Sequence, residues 1–198
     1  MDEWGVNDRK FFIRDAAHEA DYRGVEEAQR EVWQCSDLDV VGSLTLIATQ
    51  HAGGILLCAF ENEEMIGFTY GFPAFEGGRV SIHSHMAAVR DAWRGRALQV
   101  GFYLKLAQRE ATLARGLREI TWTFDPLQSL NAHFNFAKLG VTSNRYFVNF
   151  YGDASTRFER DPAVLCELEQ AGLLCAPAPV AGRFEELKRL AQMFGYPI

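Results

Sequence analysis

The 198-residue sequence predicts an α/β fold, a mixed sheet with helices on its faces followed by a helical tail. Three observations predict it. The first half is rich in hairpins, with apolar runs at 55–60, 65–75 and 80–89 separated by Glu61-Asn62-Glu63-Glu64 and by Gly77-Gly78. The second half alternates strand-like and helix-like segments, the pattern of a partly parallel sheet. After Gly152 the character changes to Pro- and Ala-containing linkers, which divides the chain into a main domain, 1–152, and a C-terminal extension, 153–198.

Taken in order, Phe11-Phe12-Ile13 opens the fold as a short apolar run. Glu- and Ala-rich sequence predicts a helix over 19–33, and a second helix is expected near 42–51. Ile-Leu-Leu-Cys-Ala-Phe at 55–60 reads as a buried strand, 65–75 as its hairpin partner and 80–89 as the next strand. Over 98–114 the apolar positions Leu98, Phe102, Leu106 and Leu113 fall at helical spacing, with Gly116 as terminator. The β-branched and aromatic run 120–124 is a strand broken by Asp125-Pro126, then 130–139 a helix closed by Gly140, then 146–151 an aromatic strand. In the extension, Asp161-Pro162 looks like a helix N-cap with Gly172 as the stop. A last amphipathic helix, 183–194, shows Phe184, Leu187, Leu190, Ala191 and Phe194 on one stripe. That stripe needs a partner, either the main domain or a second subunit in a homodimer.

Composition limits the function classes. A 48% hydrophobic chain with 23% charged residues has the makeup of a soluble globular domain. No apolar stretch is long enough to span a bilayer, so a membrane partner is not expected. The opening Met1-Asp2-Glu3-Trp4-Gly5 has no basic stretch followed by an apolar run, and the four scattered cysteines form no C-x-x-C pair. The expected setting is the cytoplasm. A net charge of −6 argues against a nucleic-acid partner. From 90 to 118, seven basic residues against two acidic ones give +5, leaving −11 for the remainder. A basic segment in an acidic protein suits a small polyanion or is a solvated helix face.

The chemistry concentrates at 89–100, where a strand passes through Arg90-Asp91-Ala92-Trp93-Arg94-Gly95-Arg96-Ala97 into the long helix. A helix N-terminus offers free N–H groups and the positive end of a dipole, and two arginines there add charge-assisted contacts. Physics alone predicts an anion site. Val-Arg-Asp-Ala-Trp-Arg-Gly-Arg (89–96), with the strand before it and helix after it, resembles the acetyl-CoA motif of the GNAT acetyltransferase superfamily. Ser84-His85-Met86-Ala87-Ala88-Val89, Leu104-Lys105-Leu106-Ala107-Gln108-Arg109-Glu110, Ile120-Thr121-Trp122-Thr123-Phe124-Asp125-Pro126-Leu127 and Asn131-Ala132-His133-Phe134-Asn135-Phe136 resemble a branch of predicted GNAT acetyltransferases. The likeness runs from about Phe11 to Gly152.

The resemblance implies an acyl-CoA N-acyltransferase fold and acetyl-CoA as co-substrate, its acyl group passing to an amine of a small molecule or peptide. It implies that the fourth strand of the family fold splays from the fifth, backbone groups of Ala87 and Val89 holding the pantetheine arm. The pyrophosphate then rests on N–H groups of Arg94, Gly95, Arg96, Ala97, Leu98, Gln99 and Val100, and Asn131 matches a position that often contacts the cofactor. This chain departs from the family loop, (Gln/Arg)-x-x-Gly-x-(Gly/Ala), at Ala97 and Gln99, and it has Phe136 where many relatives place a tyrosine acid. The alternative implied by these departures is a degenerate protein that binds CoA or another anion without turnover. For the base, strict alternation puts His83, His85, Ala87 and Val89 on one face of strand 80–89, opposite Ile82, Ser84, Met86 and Ala88. His83 and His85 are then candidate bases or hydrogen-bonded structural residues, and Asp125 is a further base candidate or a turn residue. No metal is expected, because the histidines lack a third ligand at a suitable spacing.

Overall fold

The computed structural model describes residues 2–6, 9–94, 99–125, 128–148, 150 and 164–171. Its strands β1 (Asp2–Val6), β2 (Arg9–Asp15), β3 (Ile55–Glu61), β4 (Glu64–Glu76), β5 (Arg79–Val89), β6 (Glu119–Phe124), β7 (Thr142–Val148) and β8 (Val164–Ala171) form one sheet. The order is β1-β2-β3-β4-β5-β6-β8-β7, antiparallel throughout except for the parallel pair β5–β6. The helices are α1 (Glu19–Trp33), α2 (Ser43–His51), α3 (Val100–Ala114) and the short α4 (Ser129–His133).

Each face of the sheet has its own apolar layer. On one, Leu56, Cys58, Phe60, Phe68 and Tyr70 pack with Val25, Ala28 and Val32 of α1 and Leu46 of α2. On the other, Ile55, Leu57, Ala59, Ile66, Ile82, Ile120 and Trp122 pack with Val100 and Leu104 of α3. β3 is buried on both sides from Ile55 to Phe60, which is why its sequence is continuously apolar rather than alternating. Two glycines of β4 let α3 approach closely: a Cβ at Gly67 would lie 3.3 Å from Leu104 Cδ1, and one at Gly71 would lie 3.0 Å from Gln108 Nε2.

The N-terminus of α1 is fastened to β2 by a buried carboxylate. Asp21 accepts hydrogen bonds from the Ala17 and His18 N–H groups at 2.9 and 3.0 Å and from both Arg14 nitrogens at 2.7 and 2.9 Å. Burial would raise its pKa, but these donors outweigh burial and bring it down from 3.8 to about 2.

Several sequence expectations change. The helix expected between Asp161 and Gly172 is instead the strand β8, which pairs with β6 and β7. Cys166 and Leu168 alternating with Glu167 and Glu169 carry the period of two that the Asp161-Pro162 cap signal obscured. The apolar stripe of α3 is Val100-Leu104-Gln108-Thr112 rather than Leu98-Phe102-Leu106-Leu113, because two polar residues are buried on it. The helix expected over 130–139 is α4 followed by one π-helical stretch, Phe134–Lys138, and the aromatic strand begins earlier, at Thr142. β1 adds an edge strand not anticipated. The last amphipathic helix, 183–194, lies outside the described residues. Among the described residues, no helix is long and apolar enough to cross a membrane.

Candidate active site

β5 organises the site through two irregularities. Its pairing with β4 shifts between Tyr70↔Met86 and Gly71↔Ser84, so His85 is an extra residue. Such a bulge reverses the in-out alternation beyond it. His83 and His85 do share one face, with ring centroids 6.4 Å apart, beside Tyr70 and Phe72. Met86 and Ala88 join them on the α1–α2 side, whereas Val89 packs into the α3 layer. The alternation read from sequence therefore fails after His85.

The second irregularity is on the other edge of β5. Its parallel register with β6 consists of Ile82↔Ile120 and His83↔Thr121. Among the described residues the register ends at that pair, although β5 continues to Val89 and β6 to Phe124, so residues 84–89 and 122–124 are not paired with each other. In β5, Ala87 is exposed and Val89 half-buried. Asp125 follows the end of β6, about 13 Å along the strand from Thr121, and is half-buried. Asn131 lies exposed on α4, its amide donating to Gln128 Oε1 at 3.1 Å.

Beyond Val89 the chain turns into α3. Glu31 of α1 accepts from Arg90 Nε at 2.6 Å and from the Asp91 N–H at 2.9 Å, while Glu61 accepts from Trp93 Nε1 at 3.1 Å. Arg94 bends back, its Nε 3.1 Å from Val89 O and its guanidinium 3.4 Å from Asp91. Gly95, Arg96, Ala97 and Leu98 lie outside the described residues. Gln99 is the N-cap of α3 and is exposed, with φ 50° and ψ 35°, the left-handed conformation that glycine adopts most easily. No acidic side chain occupies the first turn of α3 and none caps it. Val100 buries its side chain in the core, leaving its backbone at the helix end. These features suit an anionic group at the mouth of an open strand edge.

The histidines are kept neutral. Burial, then His85, then Lys105 pull the His83 pKa from 6.5 to about 4, and its Nδ1 lies 3.1 Å from Thr121 Oγ1. Burial lowers His85 as well. The sequence reading missed a second group on the opposite face. Lys105 of α3 donates to Ser84 Oγ at 2.7 Å, and its Nζ stands 4.3 Å from the centre of the Trp122 ring. The Trp122 Nε1–H in turn donates to Asn135 Oδ1 at 3.1 Å. Burial brings Lys105 from 10.5 to about 7. The signal that could have found it is the i, i+4 series Val100, Leu104, Gln108 and Thr112, which turns the adjacent Lys105 toward the sheet. The basic segment is not one patch: Arg90 pairs with Glu31, Arg109 with Glu110, and Arg115 reaches Gly54 O at 3.3 Å.

Phe136 lies edge-on to Phe124 at 5.8 Å, packed against the core. Tyr103 packs edge-on to Phe11 at 5.8 Å. Tyr146 belongs to β7, opposite Cys166.

This architecture is shared with solved acetyltransferases. The chain is similar to an acetyltransferase of the GNAT family from Streptococcus pneumoniae, with TM-score 0.63, 17% identity, and coverage of 82% of this chain and 99% of that one. It is similar to the yncA protein of Salmonella typhimurium, solved with its cofactor acetyl-CoA, with TM-score 0.63, 17% identity, and coverage of 85% and 98%. A ribosomal-protein-alanine N-acetyltransferase from Brucella melitensis gives TM-score 0.61 at 17% identity, covering 81% and 99%. No family model matches the sequence, and no curated protein matches it. The chain has the GNAT acetyltransferase fold.

Proposed function

We propose that the protein is an N-acyltransferase that moves an acetyl group from acetyl-CoA to an amine of a small molecule or peptide by direct attack. The observation that supports this reading is the end of the β5–β6 register at His83↔Thr121, on the strand that leads to an α3 start with no side-chain cap among the described residues. The edge of β5 at Ala87 and Val89, which β6 does not pair with, suits an extended amide chain such as pantetheine once Arg94 releases Val89 O. The segment Arg94, Gly95, Arg96, Ala97, Leu98, Gln99 and Val100 is read as the pyrophosphate loop, and Asn131 as a further cofactor contact. An amine arriving on the α1–α2 side meets His85, the first candidate base, with His83 behind it. His83 is the weaker candidate, since a group titrating near 4 accepts a proton poorly at neutral pH. Asp125, just past the end of β6, is the alternative base. Proximity supplies much of the rate.

The extension 153–198 is read as an appendage that contributes β8 to the sheet, and a second subunit is one candidate partner for its terminal stripe. The free thiols Cys35 and Cys58 suit a cytoplasmic setting. A second reading, binding of CoA without turnover, draws on Ala97, on the side chain at Gln99, and on Phe136, which packs half-buried against Phe124 in place of a hydroxyl. Calorimetric titration with acetyl-CoA, followed by thiol release over an amine panel, separates the two. Micromolar binding, about −8 kcal/mol, with turnover supports transfer, and binding without turnover supports the second reading. Binding only by Gln99→Gly would mean that Gln99 has closed the site. No binding by either protein would defeat both.

A further inference from the structure

We propose that Lys105 is the proton donor to the thiolate that leaves in the acyl transfer, acting from the α3 side of the sheet. This deepens the acetyl-transfer reading and rests on it. The position is specific. The last register pair of β5 and β6 is His83↔Thr121, so Ser84 and Trp122 are the first residue of each strand beyond it. Lys105 Nζ contacts both, at 2.7 Å from Ser84 Oγ and 4.3 Å from the Trp122 ring centre. It therefore stands where the register ends, on the face opposite the two histidines.

The contacts themselves point to proton transfer. A structural lysine is normally enclosed with a carboxylate; among the described residues none pairs with Lys105, whose contacts are a hydroxyl and an aromatic face. An ammonium so held is charged at a cost and gives up its proton readily, which agrees with a pKa brought to about 7 by burial. Phe136 has no hydroxyl, and Tyr103 packs against Phe11 and Phe102.

The step balances as follows. The neutral amine nitrogen attacks the thioester carbon, the N–C bond forms and the C–S bond breaks. The departing electron pair goes to sulfur, which takes a proton from Lys105 Nζ. The proton shed by the attacking nitrogen passes to His85 and then to solvent, and Lys105 is reprotonated from solvent before the next turnover. One face of the sheet removes a proton while the other supplies one.

The test compares wild type with Lys105→Met and Lys105→Arg, with melting temperatures confirming that each folds. Arginine keeps the charge but does not release its proton. Both variants are expected to bind acetyl-CoA within about threefold of wild type by calorimetry and to lose about 10²–10⁴-fold in kcat. The wild-type kcat should fall above about pH 7, and both variants should lose that limb. The ionisable groups on the surrounding elements are His83 and His85 on β5, Glu119 and Asp125 on and after β6, and Arg109 and Glu110 on α3. The histidines titrate on the acid side, while Arg109 pairs with Glu110 at 2.6 Å and Glu119 lies 3.8 Å from Arg79. Turnover retained in Lys105→Met would overturn the proposal, and turnover retained in Lys105→Arg alone would show that charge, not the proton, matters. Failure of the wild type to bind acetyl-CoA would instead overturn the acetyl-transfer reading beneath it.

Discussion

The two faces of the sheet treat a buried charge in opposite ways. On the α1–α2 face, Asp21 receives two backbone N–H groups and a two-pronged arginine, and its pKa falls to about 2. On the α3 face, Lys105 has a serine hydroxyl and an indole ring, and its pKa falls to about 7. Both groups move down, but the physical meaning is reversed: Asp21 is held in its charged form, Lys105 is pressed toward its neutral one. A fully satisfied charge fixes the entry of α1, while an under-satisfied one stands where the β5–β6 register ends. That contrast separates a structural polar cluster from the one proposed to react.

Removing one partner of the satisfied pair should break the comparison most severely. Arg14→Leu leaves Asp21 buried without its guanidinium and should cost about 3–5 kcal/mol, measured by urea unfolding. If the loss stays below about 1 kcal/mol, Asp21 is solvated and the contrast between faces is wrong. The pH dependence gives the next effect. The folded pKa of Asp21 lies below its unfolded value of 3.8, so the stability it contributes is present above pH 3.8 and is lost as pH falls through about 2. That contribution is about 2 kcal/mol, and Asp21→Asn should flatten this part of the acid unfolding curve.

On the α3 face the expected effect changes sign. Gln108 is fully buried beside Gly71, and neither its Nε2 nor its Oε1 has a hydrogen-bond partner among the described residues. Gln108→Leu should raise stability by about 1–3 kcal/mol, and a destabilised variant would mean that the amide is in fact satisfied. The effect of Lys105 is spread along the pH profile. Its folded pKa is depressed, so between about 7 and 10.5 the unfolded chain binds more protons and stability rises with pH. The slope is at most about 1.4 kcal/mol per pH unit. Lys105→Met should lose that rise, seen as the difference between wild-type and variant unfolding across the window.

Much of the fold was legible because local patterns and long-range pairing agree. The apolar run at 55–60, the turns at 61–64 and 77–78, and the strand entering a basic helix at 89–100 each carry their own signal. What stayed hidden depended on partners. The bulge at His85 follows from the register with β4 and has no local marker, so the alternation seemed continuous through Val89. β8 exists because β6 and β7 offer edges, and a cap-like Asp161-Pro162 outweighed its short alternation. At the candidate site, both histidines were visible as a pair. Lys105 was not, because a lysine on an amphipathic helix is ordinarily solvated, and only the burial of Gln108 and Thr112 turns it inward.

The most direct measurement is hydrogen exchange along β5 with and without acetyl-CoA. Acetyl-transfer chemistry at the unpaired edge of β5 predicts protection on binding at 84–89 and at the first turn of α3, with the amides of β3 and of β5 before His83 unchanged. Saturable binding that leaves 84–89 unprotected would place the cofactor elsewhere and contradict the assignment of that edge.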